Sequence, residues 1–241
     1  MGFEQNLDMR IIVLHGWTKN LDKWDNFLEA LRKKGITYEF PKIPGLTKSL
    51  EKIWTLNDYV EWLKNITDRQ KGKVILIGHS NGGRIALAFA NKYPQKVEKL
   101  ILIDSAGIYH NGLPLRIKRI VFKAIAKLGK KVTSSKLAKN FLYKIARESD
   151  YKNSNEIVKQ TMINLINSDL KNILPEIKTP ALIIWGREDR ITPLSDGVLM
   201  NNLIKNSKLE IIENARHAPQ FSHPNEVVDV IARNVVTKQS Q

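Results

Sequence analysis

The stretch that decides the fold is Val74-Ile75-Leu76-Ile77-Gly78-His79-Ser80-Asn81-Gly82-Gly83-Arg84-Ile85-Ala86. Val74 to Ile77 read as a buried strand, Gly78 to Gly82 spell G-x-S-x-G at a sharp turn, and residues 81–92 read as the helix that follows. A serine held in so tight a turn needs small neighbours two residues to either side, because the strand and helix backbones pass close there. Gly78 and Gly82 supply them. Such an elbow lifts Ser80 off the sheet. A helix starting at Asn81 would aim N–H groups and a positive dipole end at the space beside the serine, which suits a developing oxyanion. Ser80 is therefore the candidate nucleophile.

A serine hydroxyl is a weak nucleophile and needs a base within hydrogen-bond reach, oriented in turn by a third group. Downstream, Trp185-Gly186-Arg187-Glu188-Asp189-Arg190-Ile191-Thr192-Pro193 sets a carboxylate, Asp189, just past a strand end. The next apolar run, 209–212, leads into a loop carrying His217. Ser80, Asp189 and His217 thus occur in the order of a nucleophile, an orienting acid and a general base. Asp104 also ends a strand-like run and is the alternative acid; its bland reading is a cap on the turn that follows. Upstream, a strand over 10–14 runs into His15-Gly16-Trp17, where the Trp17 backbone N–H can join that of Asn81 as a second oxyanion donor. His15 and His79 are expected to serve structure rather than proton transfer, and His223, just before Pro224, to lie at the surface.

Working outward, short apolar runs at 10–14, 36–40, 74–77, 100–103, 181–185 and 209–212 alternate with helix-like stretches at 24–34, 56–67, 81–92, 195–205 and 225–236. Continuous apolarity in the runs suits strands covered on both faces, so the expected fold is α/β, with a mostly parallel sheet of about six strands and helices on both faces. The rhythm breaks between 106 and 170, where the pattern is helical and basic. Residues 1–105 and 171–241 are therefore read as the two parts of one core, and 106–170 as an inserted helical cap above the carboxyl ends of the strands.

The chain has 241 residues and no cysteine, which excludes disulfides, a Cys nucleophile and thiolate metal sites. No two of the five histidines, His110 among them, stand at metal-ligand spacing, and neither a metal nor a cofactor is expected. No stretch is long and apolar enough to cross a membrane, and residues 1–10 lack the pattern of a secretory signal, so a cytoplasmic home is the default expectation. The net charge of +15 is concentrated: residues 107–152 hold twelve Lys or Arg against Glu148 and Asp150. Within it, residues 113–132 place Ile117, Ile120, Val121, Ala124, Leu128 and Val132 on one helical face. Arg116, Arg119, Lys123, Lys127 and Lys130 lie on the adjoining one. Such a face suits an acyl pocket, weak association with an anionic lipid surface, or a solvated exterior. No nucleic-acid motif accompanies the charge, so that class of partner is not expected.

Taken together, H-G-W, G-H-S-N-G-G, W-G-x-x-D-x-x-x-P and H-x-P, in this order and over most of the chain, resemble the α/β-hydrolase superfamily. The resemblance implies a triad of Ser80, Asp189 and His217, an oxyanion hole from Trp17 and Asn81, and a variable cap over about 106–170. It implies hydrolysis of a small-molecule carboxylic ester through an acyl-enzyme, without a cofactor. Cleavage of carbon–carbon or amide bonds by the same residues is the alternative, and a catalytically idle ligand-binding protein is the alternative of another class. Two features depart from the pattern: the stretch before residue 10 is too short for the family's first hairpin strands, which are not expected in this sequence, and Lys42-Ile43-Pro44-Gly45-Leu46-Thr47-Lys48-Ser49 lacks the aspartate and second glycine common there.

Overall fold

A computed structural model describes residues 10–18, 20–69, 72–109 and 156–235. Its six strands, β1 (Arg10–Leu14), β2 (Tyr38–Glu39), β3 (Val74–His79), β4 (Val97–Ile103), β5 (Ala181–Gly186) and β6 (Ser207–Ile212), form one sheet in the order β2-β1-β3-β4-β5-β6. Every pairing is parallel. The helices are α1 (Asp25–Lys33), α2 (Leu56–Thr67), α3 (Asn81–Lys92), α4 (Glu156–Asn167), α5 (Leu194–Leu203), α6 (Pro219–Ser222) and α7 (Pro224–Val235).

Alternation along each strand sends side chains to opposite faces, and both faces are covered. Leu14, Leu76, Leu102, Ile183 and Trp185 pack with Leu63 of α2 and Phe89 of α3. Val13, Ile77, Ile101 and Ile184 pack with Phe27 and Leu31 of α1 and Val227 and Ile231 of α7. This two-sided burial is why the strands read as continuous apolar runs. Helix α2 opens with a reciprocal cap: Asp58 N–H donates to Thr55 Oγ1 while Thr55 N–H donates to Asp58 Oδ2 at 2.7 Å.

The chain winds from β1 outward to β2, then returns across β1 to β3 and proceeds the other way through β4, β5 and β6. The order therefore reverses between β1 and β3, and the loops leaving their carboxyl ends diverge to open a crevice. The H-G-W turn follows β1 there, and the G-x-S-x-G turn follows β3.

Most element boundaries shift by one to three residues from the sequence reading, and two of the shifts have plain local reasons. The run at 36–40 pairs only over Tyr38–Glu39, because it lies at the sheet edge, Ile36 N–H is drawn back to Leu31 O, and Pro41 has no N–H to add. The helix expected from 24 begins at Asp25, after a 3-10 turn at Asp22–Trp24. The Lys42–Ser49 segment, despite its missing aspartate, is tightly held: Gly45 at φ +80° donates to Lys48 O, and Ile43 and Leu46 are buried. Most of the expected cap, including the basic helix over 113–132, falls within 110–155 and lies outside the described residues. At its margins Leu170 N–H donates to Gly107 O and Tyr109 N–H to Asp169 Oδ1. No helix among the described residues is long and apolar enough to span a membrane.

Candidate functional site

Ser80 sits between β3 and α3 at φ +53°, ψ −116°, a conformation that costs a non-glycine residue of order 1–3 kcal/mol. The surrounding backbone enforces it. Ser80 N–H donates to Ile103 O, and Ser80 O accepts from Arg84 N–H and Ala106 N–H. The flanking glycines are needed for close approach. A Cβ on Gly78 would fall 2.6 Å from Gly83 Cα, and one on Gly82 would run into the backbone carbonyls of Leu14 and His15.

His217 lies on the loop after β6 and faces this serine, with Nε2 3.1 Å from Ser80 Oγ. Its Nδ1 is 2.7 Å from Asp189 Oδ2. Asp189 follows β5 and is itself fixed: Oδ1 accepts from Ile191 N–H at 2.7 Å and Thr192 N–H at 3.2 Å, and Oδ2 is 2.7 Å from Thr192 Oγ1. With Nδ1–H donating to Asp189, the lone pair of Nε2 is left for the serine hydroxyl. The loop carrying His217 passes tightly over the end of β5, where a Cβ on Gly186 would fall 2.6 Å from Arg216 O.

The H-G-W turn is pressed against the same serine, since a Cβ on Gly16 would lie 3.0 Å from Ser80 Cβ. His15 holds the turn. Ile43 N–H donates to His15 Nε2 at 3.3 Å, so Nδ1 carries the proton and donates to Gly16 O at 2.8 Å. Burial brings His15 down to about 4, which keeps it neutral. Because the Gly16–Trp17 peptide is trans, a carbonyl held by His15 turns the Trp17 N–H the opposite way. Asn81 opens α3, so its N–H has no acceptor within the helix.

The structure thus brings Ser80, Asp189, His217, Asn81, Gly78, Gly82 and the Trp17 turn to one place. His223 stands apart, its Nδ1 2.8 Å from the exposed Ser222 hydroxyl. His79 is buried under the site, with its ring centroid 5.0 Å from that of His217 and 5.9 Å from that of Trp24. Sequence reasoning missed the packing of Trp24 and Phe221 around that histidine, and the contact of Thr192 with both Asp189 and His217.

Asp104 is near but differently used. Its Oδ2 is 4.0 Å from His217 Nδ1, and its two oxygens accept from Gly186 N–H and Ala218 N–H, each at 2.8 Å. Burial, together with the Asp189 charge, pushes it up to about 8 against the pull of those two N–H groups. Its expected service as a cap on its own turn is replaced by bonds to two remote loops. Among the described residues, His79, Asp104 and His217 are the group whose ligand atoms come within 4.8 Å of one another, as a metal would require. His217 is already committed to Asp189 and Ser80.

The family model for the alpha/beta hydrolase fold matches residues 10–224. The chain is 24% identical to a monoacylglycerol lipase, ABHD6, of Mus musculus, over 92% of this chain and 74% of that protein. It is 28% identical to a 2-hydroxy-6-oxononadienedioate/2-hydroxy-6-oxononatrienedioate hydrolase of Pseudomonas putida, covering 88% of this chain and 83% of the other. Among solved structures, an alpha/beta hydrolase enzyme from a lagoon-sediment metagenome superposes with a TM-score of 0.71 at 25% identity, covering 95% of this chain and 91% of that one.

Proposed function

Because the chain belongs to the α/β-hydrolase family, we propose that it is a serine hydrolase that cleaves a small-molecule carboxylic ester through an acyl-enzyme. The observation that carries the reading is the hydrogen-bonded row from Ser80 Oγ through the His217 ring to Asp189 Oδ2, built on a strained elbow. His217 Nε2 accepts the hydroxyl proton as Ser80 Oγ attacks the ester carbonyl, and the tetrahedral oxyanion takes N–H bonds from Asn81 and Trp17. The imidazolium, stabilised by Asp189, returns its proton to the leaving alkoxide as the carbon–oxygen bond breaks. Water then attacks the acyl-Ser80 with the same base assistance, releasing the acid and restoring the serine.

Nitrophenyl esters of increasing acyl length test this reading. Turnover in the wild type and its loss in Ser80→Ala, on the order of a million-fold in kcat, are expected. Equal turnover in both would overturn it. A second reading, carbon–carbon bond hydrolysis by the same three residues, is favoured by the likeness to the Pseudomonas putida hydrolase. Turnover of 2-hydroxy-6-oxononadienedioate in preference to every ester would select it.

A further inference from the structure

Asp104 sets a carboxyl group in a place where its own turn does not need one. The side chain is wholly buried at the end of β4, with Oδ1 2.8 Å from Gly186 N and Oδ2 2.8 Å from Ala218 N. Those donors belong to different segments of the chain. Gly186 closes β5 three residues before Asp189, and Ala218 directly follows His217. Two N–H groups converging from separate segments each need an acceptor, and of the side chains of this size only a carboxyl group offers an oxygen to each of them. Burying a carboxyl group is costly unless its oxygens are bonded, so the arrangement is one in which both bonds are required.

Resting on the reading of Ser80, His217 and Asp189 as the catalytic row, we propose that Asp104 is a positioning residue whose carboxyl group clasps the end of β5, from which the Asp189 loop leaves, and the histidine loop into one register. Backbone bonds from Arg187 N–H to Ile212 O and from Glu188 N–H to Ala215 O already join these segments. Asp104 joins them a second time, with Oδ2 4.0 Å from His217 Nδ1. Ala218 sits at φ +106°, outside the ordinary range for a residue with a Cβ, and its N–H is the group that Oδ2 holds. Thr192 adds a strand to the clasp, its hydroxyl lying 3.2 Å from Asp104 O and 2.7 Å from Asp189 Oδ2. Raising of the Asp104 carboxyl by burial and by Asp189 agrees with a group kept there against its own preference for water.

Asp104→Asn keeps the size of the side chain but can accept through one oxygen alone, so one half of the clasp is lost. The test counts active sites with a fluorophosphonate and then measures kcat and kcat/KM per labelled site on p-nitrophenyl butyrate. Both constants should fall together in Asp104→Asn by about 10- to 100-fold, the scale of a misplacement near 1 Å, and the loss of transition-state interactions should leave KM nearly unchanged. A residue serving stability alone would reduce the number of labelled sites but leave turnover per site at the wild-type value, and that result would overturn the proposal. If Asp104→Asn yields no labelled site, Asp104→Ser, smaller and neutral, carries the same comparison. Failure of the wild type to label would instead overturn the serine-hydrolase reading beneath it.

Discussion

His217 Nδ1 lies 2.7 Å from Asp189 Oδ2. The rival carboxylate, Asp104 Oδ2, is 4.0 Å from the same nitrogen and is already occupied by Ala218 N–H. The distances assign the orienting bond to Asp189, and Asp189→Asn should lower kcat by about 10⁴-fold, as loss of the correct histidine tautomer does elsewhere. Asp104→Asn should cost a hundredfold or less. Turnover per active site in the two variants checks this, and a larger loss in the Asp104 variant would reverse the assignment.

At Gly186, β5 and the histidine loop approach closely. A Cβ there would meet the carbonyls of Ala215 and Arg216 at 2.7 and 2.6 Å, both backbone atoms that cannot swing aside. Gly186→Ala should therefore push the His217 loop outward and reduce kcat about 100-fold. Unchanged kcat would mean that this approach is not needed for catalysis.

The buried His15 makes stability depend on acid. Its pKa falls from 6.5 to about 4 in the fold, so the unfolded chain takes up a proton over a range in which the folded chain does not. The contribution is complete above about 6.5 and is lost as the pH falls towards 4, for a total of about 3 kcal/mol. Its neighbours are the Phe40 ring, Thr47, and the backbone of Gly16 and Ile43, none of them charged. In denaturant titrations, the wild type should lose stability relative to His15→Asn across this window. A constant difference would contradict the tautomer and burial assigned to His15.

Asp104 works in the opposite direction. Its folded pKa of about 8 lies above the unfolded value of 3.8, so the folded chain holds the extra proton and loses stability as the pH rises between the two. The groups facing it are Asp189, His217 and His79. Relative to Asp104→Asn, the wild type should weaken with rising pH over this range, by up to about 1.4 kcal/mol per pH unit. The lost half of the clasp adds only a pH-independent offset. A flat difference would show that Asp104 ionises as it does in water.

The sheet and the row of Ser80, His217 and Asp189 were legible in the sequence because they are written in local chemistry. Val74 to Ile77 are apolar on both faces, Gly78 and Gly82 bracket the serine at fixed offsets, and Pro224 stands where α7 starts. Asp104 was legible only as a strand-end carboxylate. Its partners are backbone N–H groups 82 and 114 residues away, and backbone groups leave no mark in side-chain sequence. The cage of Trp24 and Phe221 around His79 was hidden for a different reason: three elements far apart in the chain meet only when β1, β3 and β6 lie in one sheet. Helix α6 was missed because it is four residues long, started by a left-handed Ala218 and Pro219 and stopped before Pro224.

Activation of Ser80 by His217 is open to a direct covalent test. The wild type is treated with a fluorophosphonate, digested and analysed by mass spectrometry, beside Ser80→Ala and His217→Gln. One adduct per chain on the peptide containing Ser80, no adduct in Ser80→Ala, and labelling slowed by orders of magnitude in His217→Gln are the predicted results. An adduct on a different serine, or a His217→Gln variant that labels at the wild-type rate, would contradict the account.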